Sequence, residues 1–176
     1  VASHERNFVD SVRPYLKKGP LTALGLGISS GFPFTLIAAT LTQRLSESGI
    51  ERKTLSAFAL ILLVYSIKWA WAPIVDRVKL PILSMLGQRL SWLVLTASGV
   101  AFGVWLLGNA DPKAGVQSVL LAALVLAFAG ATFDVVIDAL RIEHLQPEEL
   151  GIGSGMSQYG WRLGAFFAGS IALAVA

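Results

Sequence analysis

At 176 residues and 18.7 kDa the chain is long enough for one soluble domain, but its composition excludes that. Hydrophobic residues make up 55 % and charged residues 14 %, about half the usual charged share of a soluble protein, and the mean hydropathy is +0.67. Too little polar surface remains to cover a soluble particle, so the chain reads as a membrane protein. The net charge of +3 comes with no basic patch interleaved with aromatics, which argues against a nucleic-acid partner. The absence of Cys excludes disulfides, thiolate metal sites and cysteine nucleophiles. His4 and His144 lie outside the apolar runs, so no metal site and no cofactor are expected.

Residues 1–19 are polar and basic and lack the short apolar core of a secretory signal, so they read as a cytoplasmic N-terminal segment. Five apolar stretches follow at about 20–43, 54–75, 90–108, 116–140 and 151–176. Each supplies the roughly 20 residues a helix needs to cross the hydrocarbon. Within a bilayer each has to be helical, because its backbone groups find no water. The expected fold is therefore all-α and polytopic, with one transmembrane helical domain over 20–176. The connections at 46–53, 76–89, 109–115 and 141–150 are too short to be domains. Val1 in place of Met, and an end at Ala176 inside an apolar run, make both ends read as cut from a longer protein.

Lys and Arg outside the spans set the orientation. Arg6, Arg13, Lys17, Lys18, Arg77, Lys79, Arg89 and Arg141 lie on one side, against Arg44, Arg52, Lys53 and Lys113 on the other. Eight against four places the N-terminus in the cytoplasm.

The first span concentrates Gly25, Gly27, Ser29, Ser30, Gly31 and Pro33. Pro33 cannot donate to the carbonyl of Ser29 and crowds it, which makes an interruption there one reading. Two readings stand equally: an interrupted helix bordering a transport pathway, or close helix packing through small residues. For Gly151 with Gly155, and Gly160 with Gly164, packing is the expectation.

Lys68, Asp134, Asp138 and Arg162 do not belong in lipid and are expected to face a protein interior or an aqueous cavity. Counted along their helices, Lys68, Asp134 and Arg162 lie roughly 12, 10 and 16 Å from the cytoplasmic end, so all three are expected to meet in the inner half of one bundle. Asp134 and Asp138 share a helical face at i and i+4, with Arg141 close behind. Two carboxylates on one stripe repel unless cations compensate, and Lys68 and Arg162 are the expected cations. Such a carboxylate suits a proton site; the alternative is a set of ion pairs that fixes packing. Tyr65, Trp69, Trp71, Tyr159 and Trp161 flank these charges. Tyr65 and Tyr159 are candidate contacts to a sugar-bearing substrate, whereas Trp71 and Trp92 read as interface anchors only. Asn109-Ala110-Asp111-Pro112 reads as a turn, and 143–149 with Pro147 as a helix end followed by a new start.

The loop after the second span carries Asp76-Arg77 and then Gly87-Gln88-Arg89. This resembles the cytoplasmic loop pattern of the major facilitator superfamily, with Gln88 in place of the usual basic residue. The resemblance implies that Asp76, Arg77, Arg89 and Arg141 form a cytoplasmic gate in which Arg141 partners Asp76. A finer resemblance is to the AmpG-type muropeptide permeases. It is carried by Ser29-Ser30-Gly31-Phe32-Pro33, Lys68-Trp69-Ala70-Trp71-Ala72-Pro73, Ser91-Trp92, Ala131-Thr132-Phe133-Asp134 with Ile137-Asp138-Ala139-Leu140-Arg141, and Gly160-Trp161-Arg162-Leu163-Gly164. Related siderophore and acetyl-CoA permeases carry the same blocks loosely.

The resemblance implies a parent of twelve or more helices in two halves, of which this chain is most of the first, the second half being its missing partner. It implies import of anhydromuropeptides with protons across the inner membrane, for cell-wall recycling. Asp134 is the first choice for the coupling carboxylate, with Asp138 beside it and Lys68 and Arg162 as charge partners or contacts to substrate carboxylates. The competing class is an intramembrane enzyme binding Mg²⁺ and a diphosphate through Asp134 and Asp138. It lacks a second acidic cluster, so the chain is expected not to be an enzyme.

Overall fold

The computed structural model describes residues 8–37, 63–81, 84–111 and 116–175. Seven α-helices are described: α1 (Phe8–Val12), α2 (Lys18–Thr35), α3 (Leu63–Ser66), α4 (Ala72–Arg77), α5 (Gln88–Asn109), α6 (Val116–His144) and α7 (Leu150–Val175). Short 3₁₀ turns lie at Arg13–Leu16, Lys68–Ala70, Ser84–Leu86 and Pro147–Glu149. No strand occurs among the described residues, so the all-α expectation holds there. Two helices, α5 and α6, are long and apolar enough to cross a membrane by length and composition.

Helices α5, α6 and α7 cover the residues where the third, fourth and fifth spans are expected. The fourth runs on to His144, whose ring Nδ1 lies 2.9 Å from the Leu140 carbonyl. Pro147 then opens the 3₁₀ turn before α7, as the sequence suggests. Helix α5 ends where the sequence places the start of a turn: Asn109 is the last helical residue, and its side-chain amide donates to the Trp105 carbonyl at 2.8 Å, while Pro112 lies outside the described residues. Residues 38–43 of the first span, 54–62 of the second and the whole 46–53 connection lie outside the described residues.

Two expectations about helix continuity need correction. The first span is not interrupted at Pro33: α2 runs through it to Thr35 and continues as a wider turn at residues 36 and 37. The second span is not one helix over its described part. Helix α3 stops at Ser66, Lys68–Ala70 forms a 3₁₀ turn, and α4 starts at Ala72. Pro73 supplies the physical reason. It has no N–H for the Trp69 carbonyl and its ring crowds that carbonyl, so it fits only in the first turn of a new helix, where α4 begins. The chain crosses the break on tight bonds, from the Ala70 N–H to the Ile67 carbonyl at 2.9 Å and from the Ile74 N–H to the Trp71 carbonyl at 2.9 Å.

The most extensive packing joins α2 to α7, and next α5 to α6. Glycines explain the first pair. A Cβ built on Gly27 or Gly31 would overlap the backbone carbonyl of Ser157 or Trp161. A Cβ on Gly160 or Gly164 would overlap that of Leu24 or Ile28. Each helix thus presents two glycines, four residues apart, to the backbone of the other. This is the small-residue approach used where lipid offers no hydrophobic drive between helices, and it allows Cα–H···O contacts worth about 0.5–1 kcal/mol each. The packing reading of the first span and of the Gly160/Gly164 pair is what the structure supports. Gly151 and Gly155 have open space around them, and Gly153, against Leu145, makes the close contact instead. At one end of the pair Lys17 closes on Glu149 at 3.0 Å.

Helix α6 is the centre of the fold. Its Val119, Ala123, Leu126 and Ala127 form one buried cluster with Ile37, and its Val136 and Leu140 form another with Val75 of α4. Gly103 of α5 fits against the Leu126 backbone, where a Cβ would come within 2.8 Å of its Cα.

Replacing Gly31 by Leu should therefore push α2 from α7 and destabilise the full-length protein by at least about 3 kcal/mol, beyond ordinary overpacking because backbone is struck. Gly25→Ala, in open space, should leave stability within roughly 1 kcal/mol of wild type. Thermal unfolding in detergent checks both, and equal melting temperatures for the two variants would refute the packing account.

Candidate functional site

The i, i+4 spacing on α6 places Asp134 and Asp138 on one face, one helical turn apart, where the helix meets α2 and the broken second span. Ser30, buried on α2, donates its hydroxyl to Oδ1 of Asp134. The Lys68 ammonium, carried by the 3₁₀ turn, donates to Oδ2 of the same carboxylate. Lys68 also lies 3.5 Å from Oδ2 of Asp138. Arg141 holds the other oxygen of Asp138 at 3.2 Å. Both oxygens of each carboxylate are thereby engaged, in a chain that runs Ser30, Asp134, Lys68, Asp138, Arg141.

Two cavities open on this chain. One, of about 270 Å³, is bordered by Lys68, Asp134, Asp138, Arg141, Gln158 and Trp161. The other, of about 220 Å³, is walled by Phe34, Tyr65 and Trp161 above Ser30, Lys68 and Asp134. Phe34 stands edge-on to Tyr65, with ring centroids 5.2 Å apart, and tilted against Trp161 at 5.7 Å. The Tyr65 hydroxyl is buried without a hydrogen-bond partner among the described residues; it lies where a Cβ on Gly130 would sit. Gly31 and Pro33 are buried beside this region, Gly31 in the α7 contact and Pro33 next to Gly130.

Three sequence expectations meet a different arrangement. Arg162 does not join Lys68 and Asp134: it is exposed on α7, and no ion pair reaches it among the described residues. Tyr159 is also exposed and lines neither cavity. The reason is rotational. Gly160 faces α2, and Arg162, two residues on, is turned about 200° away. Arg141 does not partner Asp76, because it is committed to Asp138.

Asp76 pairs instead with Arg89 at 2.5 Å, and Arg89 reaches on to Glu143 at 2.8 Å. Gln88, which departs from the family pattern, donates its side-chain amide to the Asp76 carbonyl. It therefore pins the end of α4 without adding charge. A cavity of about 470 Å³ lies between these groups. Arg77 is exposed.

Trp71 is more than an interface anchor. Its indole N–H donates to the Thr132 hydroxyl at 3.2 Å, and that hydroxyl donates to the Phe128 carbonyl at 2.7 Å. This fastens the chain break to α6. Sequence reasoning also missed Ser30 and Glu143 as partners. A hydroxyl in a small-residue stretch reads as packing, and Glu143 was absorbed into a turn.

The chain is 38 % identical over 151 residues to the "Putative transporter AmpG 4" of Rickettsia conorii, covering 86 % of this chain and 36 % of that protein. It is 33 % identical over 148 residues to the anhydromuropeptide permease of Escherichia coli K12, covering 84 % of this chain and 30 % of that protein. The chain spans about a third of the length of the curated relatives it matches. No family model and no solved structure matches it. The resemblance to AmpG-type permeases is thus shown by relatedness over most of the chain. The relatives are named as a transporter and a permease.

Lys68 contacts two carboxylates, so Lys68→Met should destabilise the full-length protein by roughly 2 kcal/mol, less than a fully buried pair would lose because both partners keep some exposure. The double variant Lys68→Met with Asp134→Asn should recover part of that loss. Unfolding curves of the single and double variants check this, and strictly additive losses would contradict the shared-cation geometry.

Proposed function

We propose that the chain is the N-terminal part of a proton-coupled secondary transporter of the inner membrane that imports anhydromuropeptides for cell-wall recycling, with its N-terminus in the cytoplasm. One observation carries the reading. Asp134, on a helix of membrane-spanning length, faces a cavity and has its two oxygens held from two other elements, Ser30 of α2 and Lys68 of the break. A carboxylate at such a junction can exchange a proton for a cation contact, and that exchange alters what holds α2, α6 and the second span together. Asp138 and Arg141 extend the same balance toward the end of α6.

The remaining half of the carrier lies, in this reading, in a part of the protein other than these residues. The chain's coverage of about a third of its relatives supports that. So does Arg162, an exposed cation well inside α7, whose charge calls for protein or water beside it rather than lipid. Arg162 and Tyr159 then face the substrate path between the halves, near mid-membrane. On the cytoplasmic side Asp76, Arg89 and Glu143 tie the ends of α4, α5 and α6 and form the gate, with Arg77 beside them. A related permease for a siderophore or an acyl-CoA would use the same helices, but the relatives' names favour the muropeptide. A Mg²⁺-dependent transferase is disfavoured, because Lys68 and Arg141 take the carboxylate oxygens that the ion would need.

Asp134→Asn in the full-length protein should abolish gradient-driven accumulation of labelled anhydromuropeptide, by at least a hundredfold in initial rate, while the protein still reaches the membrane. Normal accumulation in that variant would remove Asp134 from the coupling mechanism.

A further inference from the structure

Along α5, a helix of membrane-crossing length, Leu90, Val94, Ala97, Ala101 and Trp105 recur at helical spacing on one exposed face. The apolar surface does not stop where the helix starts. It continues onto the 3₁₀ turn just before it, where Met85 is 99 % exposed and Leu86 half-exposed. Helix α4 adds to the same stretch of chain. Ile74 and Arg77, three residues apart, share its outward face, whereas Val75 is buried in the core. The chain then leaves α4 in extended form, with Val78 and Lys79 both exposed. Two hydrogen bonds hold this segment in place. The Trp92 indole donates to the Val78 carbonyl at 2.8 Å, and the Gln88 amide donates to the Asp76 carbonyl. Asp76 and Glu143 both close on Arg89, and no ion pair among the described residues reaches Arg77 or Lys79. Exposed cations and large exposed apolar side chains therefore sit together on one pinned segment, at the end of the exposed face of α5.

We propose that this segment is a docking surface for an anionic phospholipid: Arg77 and Lys79 take the headgroup phosphate, Met85 and Leu86 enter the upper acyl layer, and the acyl chains lie along the exposed face of α5. The proposal rests on the membrane part of the reading above and adds a lipid class and the residues that select it. The continuity of the apolar face fixes the kind of partner. Lipid that covers Leu90 and Val94 reaches its headgroup level near the start of α5, where the cations are. Long basic side chains lay their stems on apolar surface and keep their charge in the polar layer. Trp92, in the first turns of α5, has the amphipathic ring that favours that same level. A small soluble anion would meet the cations but leave Met85 and Leu86 facing water. A zwitterionic headgroup brings its own cation beside the phosphate and gains less from two more. Arg89, shared by Asp76 and Glu143, is already committed, so the selection falls to Arg77 and Lys79.

Photolabelling of the full-length protein in mixed liposomes tests this. Two probes carry the same photoreactive acyl chain, one on phosphatidylglycerol and one on phosphatidylcholine, and the labelled peptides are read by mass spectrometry. Peptides covering Met85–Leu95 should be labelled at least tenfold more by the phosphatidylglycerol probe, since each cation near an anionic headgroup contributes about fivefold. The double variant Arg77→Gln with Lys79→Gln should bring that labelling down to the phosphatidylcholine level. Equal labelling by the two probes in wild type, or a preference kept in the double variant, would overturn the proposal and leave the membrane reading standing. Labelling of no α5 peptide by either probe would overturn both. Where the double variant does not fold, salt decides. Raising ionic strength from about 0.1 to about 1 M shortens the screening length from about 10 to about 3 Å. The wild-type preference should then fall severalfold, and an unchanged preference would overturn the proposal.

Discussion

The approach of α2 to α7 is the constraint on which the rest depends. Gly27 and Gly31 lie against the α7 backbone, and Gly160 and Gly164 against the α2 backbone, so the two helices are seated at a distance no side chain would permit. That contact fixes the rotation of both. It turns Ser30, next to Gly31, toward α6, where it meets Asp134. It turns Trp161 into the cavity wall and Arg162 out of it. Helices α5 and α6 form a second tight pair, through Gly103 at Leu126. Asp134 therefore sits at the seam between two helix pairs, which is where a change in one charge has the widest structural reach.

The break in the second span has a matching role. A continuous helix through Lys68 would still have carried a cation at that depth, but Pro73 turns the chain into a 3₁₀ step. The Trp71 indole then locks that step to Thr132 of α6. The ammonium is delivered to two carboxylates one helical turn apart. Neutrality is reached among the described residues by Lys68 and Arg141, without Arg162. The outward face of α7 can then serve another surface.

Much of this is legible in the sequence, and the misses have physical causes. Membrane character, the all-α class and the extents of α5, α6 and α7 follow from apolar length, because a spanning helix must satisfy its own backbone. The stripe of Asp134, Asp138 and Arg141 follows from helical spacing, and the inclusion of Lys68 from its depth. Depth gives height along a bundle but not rotation about an axis. The absence of Arg162 from the group around Lys68 and Asp134 is not legible, because the glycine contact that sets the rotation of α7 is a tertiary feature. The partner of Asp76 was misjudged for a related reason. Arg141 and Glu143 are two positions apart on α6 and so face opposite ways, and only packing shows that Glu143 is the one beside Arg89. The pathway and packing readings of the first span are level in the sequence, and the α7 backbone against its glycines favours packing.

The ion pairs of Asp76, Arg89 and Glu143 and the cluster around Asp134 occupy different levels of the same α6. A proton-coupled cycle would need to link them, and α6 is the element they share. The most direct test of the central claim is proton movement that accompanies solute entry. The full-length protein is placed in liposomes with no imposed gradient, and external pH is followed on adding anhydromuropeptide. The account predicts external alkalinisation in step with solute entry. Entry of the solute with no proton movement would contradict it.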